Sequence, residues 1–129
     1  MSDEGVIVIL NQFTTVTRMA SSGVIDMLHL NSLTGHLLTL DRMLEDFYDP
    51  PYREKRAAIQ ADAAIIYKIP DTGQYLQQLY SLCQRWIGAV SALLARKRWI
   101  ADPGLIPTED SVGEADYVAD EESAPDMEG

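Results

Sequence analysis

The chain has one cysteine, two histidines, two phenylalanines and no lysine, arginine or histidine in residues 103–129. Each shortage removes a class of protein. A lone Cys83 forbids an intrachain disulfide, and the simplest setting for such a chain is a reducing, intracellular one. There is no apolar run near the ~20 residues that a membrane span requires. The run at residues 6–10 is also too short for a signal core, and Met1-Ser2-Asp3-Glu4-Gly5 before it is acidic where a secretory signal is basic. Gly23, Gly35, Gly73 and Gly88 stand alone, so no glycine-rich loop cradles a phosphate. No internal repeat is present.

What the chain does have is divided unevenly. Residues 1–102 hold 11 Asp+Glu against 10 Lys+Arg, a net of −1, whereas residues 103–129 hold nine carboxylates and no cation. The formal charge of −10 on 129 residues is therefore a local property. The expected organisation is a helical body over 1–102 and an irregular acidic tail over 103–129. Such a tail argues against nucleic-acid and anionic-membrane partners and permits basic protein partners. A body of about 100 residues buries a modest share of its surface and gains from association.

Hydrophobic spacing predicts an all-α body of three to four amphipathic helices, arranged as a bundle or an extended hairpin. Over residues 72–100, Leu76, Leu79, Cys83, Trp86, Val90 and Leu93 alternate steps of three and four, with Ile100 continuing the series. Asp71 stands at the cap position, with Gln74 as its capping-box partner, and Pro103-Gly104 is the expected stop. A second segment opens at Asp49-Pro50-Pro51 and closes at Pro70, carrying Tyr52, Ile59, Ala63, Ile66 and Ile69. Its alanines, Ala57, Ala58, Ala61, Ala63 and Ala64, are expected to let another helix approach closely.

The first half carries two apolar series that differ in phase. Ile9, Phe13, Val16 and Ala20 form one, and Leu30, Leu33, Leu37, Leu40, Leu44 and Phe47 the other. The slip falls at Ser21-Ser22-Gly23, which predicts a kink, a turn or a coiled-coil stutter. An unbroken helix of ~45 residues would run ~67 Å at 1.5 Å per residue, too long for a small domain. Either the helix breaks near Gly23, giving four helices, or it projects toward a partner. The expected core includes Leu37, Leu40, Leu44, Ile59, Ile66, Leu79, Trp86, Val90 and Leu93.

Candidate chemistry is sparse. Asp26 and His29 have the carboxylate-x-x-histidine spacing of helical metal bundles, and His36 follows seven residues later. Such bundles need the motif twice and two further carboxylates, so these three are weak candidates and no metal or other cofactor is expected. Cys83 falls on a core position and reads as a small hydrophobe. Thr14, Thr15 and Thr17 lack a basic neighbour in sequence, and Asp62 reads as a solvated helix charge. Arg53, Lys55 and Arg56, balanced by Glu54, read as a solvated cluster as well. Arg96, Lys97 and Arg98, beside Trp99 and with Arg85 three turns earlier, form the dense basic patch, a placement that also suits a helix C-terminus.

The functional expectation is a non-enzymatic helical interaction protein, a subunit of a homo- or hetero-oligomeric complex such as a virion or other large particle. Its partner-binding candidates are Val6, Ile7, Ile9, Leu10 and Phe13, the basic residues Arg96, Lys97 and Arg98, and the tail anchors Tyr117 and Val118. Two alternatives stand beside it: an acidic inhibitor whose tail occupies a basic or nucleic-acid-binding site on a partner, and a metal-binding helical-bundle enzyme.

Overall fold

The computed structural model describes residues 3–101. The chain divides after Leu94 into two units. The first is an all-α body, and among the described residues there is no strand. Its helices are α1 (Asp3–Ser21), α2 (Met27–Met43), α3 (Pro50–Ile66) and α4 (Thr72–Arg96), with a 3-10 turn at Glu45–Phe47 between α2 and α3.

Three aspartates set where helices begin. The first N–H groups of a helix have no partner within it, and a short carboxylate at the cap supplies one. Asp26 accepts the His29 N–H at 2.7 Å, Asp49 accepts that of Tyr52 at 3.0 Å, and Asp71 accepts that of Gln74 at 2.8 Å. Pro50 occupies the first turn of α3, where its missing N–H costs nothing.

The long first segment breaks where the two apolar series lose phase. Gly23 has φ +74°, the left-handed conformation that favours glycine, and its N–H donates to the Ala20 carbonyl at 3.4 Å. Side chains from other helices add further bonds to the carbonyls at the end of α1. Met19 O accepts from His29 Nε2 at 3.0 Å, and Ala20 O accepts from the Tyr80 hydroxyl at 3.0 Å. Farther up α1, the Gln12 amide donates to the His36 carbonyl at 3.0 Å and lies 3.1 Å from His36 Nδ1. The threonines of α1 turn inward on their own helix: Thr14, Thr15 and Thr17 donate to the carbonyls of Leu10, Asn11 and Thr14.

All nine expected core residues are buried. They are joined by Ile9, Val16 and Ala20 from α1, Leu30 and Leu33 from α2, and Tyr52 from α3. On α4 the buried stripe is wider than one three-four series, because Leu82, Ala89 and Leu94 add a second row. The reason is that α4 meets all three other helices: through Tyr80 to Ala20, Cys83 to Thr34, and Trp86 to Tyr52. A helix with partners on several sides must be apolar over more than one seam.

Two expectations are revised. The alanines of α3 do not form a close helix seam, since Ala57, Ala58, Ala61 and Ala64 are exposed and Ala63 is half-buried. In the second unit α4 ends at Arg96 rather than near Pro103. Arg98 there takes φ +63° and donates its N–H to Ala95 O at 2.9 Å, so the backbone has left the helix before Ile100 and that residue does not extend the apolar face.

Candidate functional site

A cleft of about 370 Å³ opens among α2, α3 and α4. It exists because each helix turns one row of side chains toward it. α2 supplies Thr34, Leu38 and Asp41, spaced four and three apart, and α4 supplies Leu82, Cys83 and Trp86. From α3 come Arg56, Ile59, Gln60, Ala63 and Ala64, with Tyr67 just past its end. Asp41, Ile59, Leu82, Cys83 and Trp86 form a buried floor, whereas Leu38, Gln60, Ala64 and Tyr67 are exposed at the rim.

The polar wall of this cleft is a network around Asp41, the buried charged residue of the body's core. Its carboxylate accepts the Tyr52 hydroxyl at 2.7 Å, and Arg56 Nε donates to both of its oxygens at 3.0 Å. Trp86 Nε1 donates in turn to the Tyr52 oxygen at 3.3 Å. Tyr48 donates its hydroxyl to the Asp41 carbonyl at 3.1 Å and stacks at a tilt on Tyr52, with ring centroids 5.1 Å apart. The guanidinium carbons of Arg56 and Arg53 sit 5.1 and 5.6 Å from the Tyr48 ring centre, a cation–π arrangement. A buried carboxylate without partners would be costly; here a cation and hydrogen bonds compensate it.

Burial, and then the hydrogen bond and charge of Asp41, push the Tyr48 phenol up to about 12 and raise the Tyr52 phenol farther. The sign of the consequence is fixed. Below pH 10, the ordinary value of a phenol, both groups are protonated folded or unfolded, and their contribution to stability is complete. Above it the unfolded chain ionises first, so stability falls as pH rises from 10 through 12. Urea midpoints followed by circular dichroism from pH 7 to 12 should stay level to about pH 10 and then decline, with a shallower decline in Tyr52→Phe. Equal slopes in the two proteins would remove Tyr52 from the explanation.

Cys83 is buried and lies 3.7 Å from the Thr34 hydroxyl. Burial pushes its thiol up, and the contact with Thr34 lowers it only in part. A raised thiol is a poor nucleophile at neutral pH. The Asp41 carboxylate is likewise spent on its own partners: the arrangement anchors α2 to α3 and α4, and the outer part of Arg56 gives the cleft one cationic edge.

The weak metal candidates are engaged elsewhere. Asp26 is the cap of α2, His29 binds the end of α1, and His36 meets Gln12. The i, i+3 spacing that would aim a carboxylate and an imidazole at one metal is also the spacing of an N-cap and the N–H it receives. Among the described residues, no three His, Cys, Asp or Glu side chains form a group that would hold a metal ion.

The partner-binding candidates separate. Ile9 is 1% exposed and turned into the core, whereas Ile7 is 55% exposed and Val6, Leu10 and Phe13 are half-buried. Arg96 and Arg98 are exposed and Lys97 is half-buried, all in the second unit; Tyr117 and Val118 lie outside the described residues. A denser exposed apolar group, not singled out by the sequence, occupies the turn between α1 and α2 and the first residues of α2. Val24, Ile25, Met27 and Leu28 are all exposed, Leu28 to 83%. Arg85 and Asp62 form a half-exposed ion pair at 2.7 Å, so each has the other as partner. Among the described residues, no helix is long and apolar enough to cross a membrane.

Comparison of the chain with protein-family models, with curated proteins and with solved structures gave no match.

Proposed function

We propose that this chain is a non-enzymatic helical interaction protein, assembling with itself or as a subunit of a larger complex. The observation that carries the reading is the apolar group at the α1–α2 turn, where four large side chains in five residues face solvent. Water-exposed apolar groups gathered at one place favour a contact surface, whereas singly scattered ones do not. Ile7 and Val8, also exposed, add to the apolar surface of α1. The apolar contact set expected at Val6, Ile7, Ile9, Leu10 and Phe13 is joined in this reading by residues 24–28, while the buried Ile9 drops out of it.

The test is the mass in solution of the full chain across a wide concentration range, alongside Val24→Glu/Leu28→Glu. The unaltered chain should exceed its monomer mass of 14.4 kDa increasingly with concentration. The double variant should remain monomeric with a nearly unchanged melting temperature, because neither side chain is in the core. If association is hetero-oligomeric, affinity purification from the native source should lose its partner in the variant. A strict monomer whose co-purifying proteins are the same with and without the two substitutions would reject the proposal.

A further inference from the structure

We infer that the cleft among α2, α3 and α4 is a binding site for a small molecule with an apolar body and a single carboxylate. Its volume of about 370 Å³ falls at the lower end of the ~300–1,000 Å³ usual for small-molecule sites. That size suits a medium-length acyl chain or a small aromatic acid. The floor offers Ile59, Leu82 and Trp86 to such a body, and Ala63 leaves room where a larger side chain would fill the space.

The choice of head group follows from the exposure and geometry of the ion pair. Arg56 holds Asp41 through Nε alone, so its two terminal amino groups lie outside that pair. The Arg56 side chain is 33% exposed, while that of Asp41 is 7% exposed. Both side chains line the cleft, but an incoming molecule meets more of the cation than of the anion that balances it. A guanidinium's planar donors match a carboxylate, and charge-assisted bonds of this kind are stronger than neutral ones. A cationic head would meet the same guanidinium and be repelled.

The probe is octanoate, with 1-octanol as the matched neutral molecule, titrated calorimetrically into the full chain. Octanoate should bind saturably and about tenfold more tightly than octanol, the effect of one charge-assisted hydrogen bond. It should also change the fluorescence of Trp86, because that indole lines the cleft. Ala63→Phe should abolish both effects while the melting temperature stays within a few degrees, since Ala63 is only half-buried at the cleft and no hydrogen bond of the Asp41 network depends on it. Arg56→Lys keeps a cation beside Asp41 but loses the planar fork, and should erase most of the preference for the acid. Absence of saturable binding, equal affinity for acid and alcohol, or binding unchanged in Ala63→Phe would each overturn the assignment. These readouts are independent of oligomer mass, so they stand or fall apart from the assembly reading.

Discussion

Replacing Arg56 with methionine should lower the free energy of unfolding by about 3 kcal/mol, the scale for stripping one partner from a buried ion pair. The change leaves the Asp41 carboxylate in the core with the Tyr52 hydroxyl but without a cation. One-third exposure of Arg56 lets some water reach the site and holds the loss toward the lower end of the range. The double replacement Asp41→Leu/Arg56→Met should recover to within about 1 kcal/mol of the unaltered protein, because it removes both the charge and its need for compensation. Tyr52 keeps its bond from Trp86 in that protein. Urea denaturation of the four proteins of the cycle measures the coupling. A loss below about 1 kcal/mol in Arg56→Met would class the pair with exposed salt bridges instead.

Truncating Leu44 or Leu79 to alanine should cost ~2–5 kcal/mol, the range for a buried leucine that leaves a cavity behind. Leu44 is fully buried at the end of α2, and Leu79 is 2% exposed on α4. Leu28→Ala is the contrasting case: at 83% exposure its cost should lie within about 0.5 kcal/mol. Denaturation midpoints of the three variants order these effects directly. A small loss at either buried position, or a large one at Leu28, would contradict the burial pattern.

The helices and their inward faces were legible because a single periodicity encodes both, and Leu37, Leu40, Leu44, Leu79 and Leu93 all point where that spacing sends them. The break at Gly23 was also signalled, by a change of phase next to a residue suited to left-handed backbone. The Asp41 network was not. Arg56 read as one of three solvated cations balanced by Glu54, yet its partner lies 15 residues upstream across a turn, a distance at which no local rule operates. A trace of it exists: Asp41 is four residues past Leu37 on the buried side of α2, and Tyr48, Tyr52 and Arg56 recur every four residues. The cleft was hidden for a related reason. Ala63 promises a close helix approach or a gap equally well, and only the placement of Leu82 and Trp86 opposite decides it.

The end of α1 has a consequence for how the body opens. Helix termini ordinarily fray by themselves, since their last carbonyls bond to water as readily as to the chain. Here the carbonyls of Met19 and Ala20 are held by an imidazole from α2 and a phenol from α4. Unwinding that turn must break bonds to two other helices at once. Its backbone amides should therefore open together with the buried rows of α2 and α4 and exchange their hydrogens on the slow schedule of that unit, not on that of a loose end.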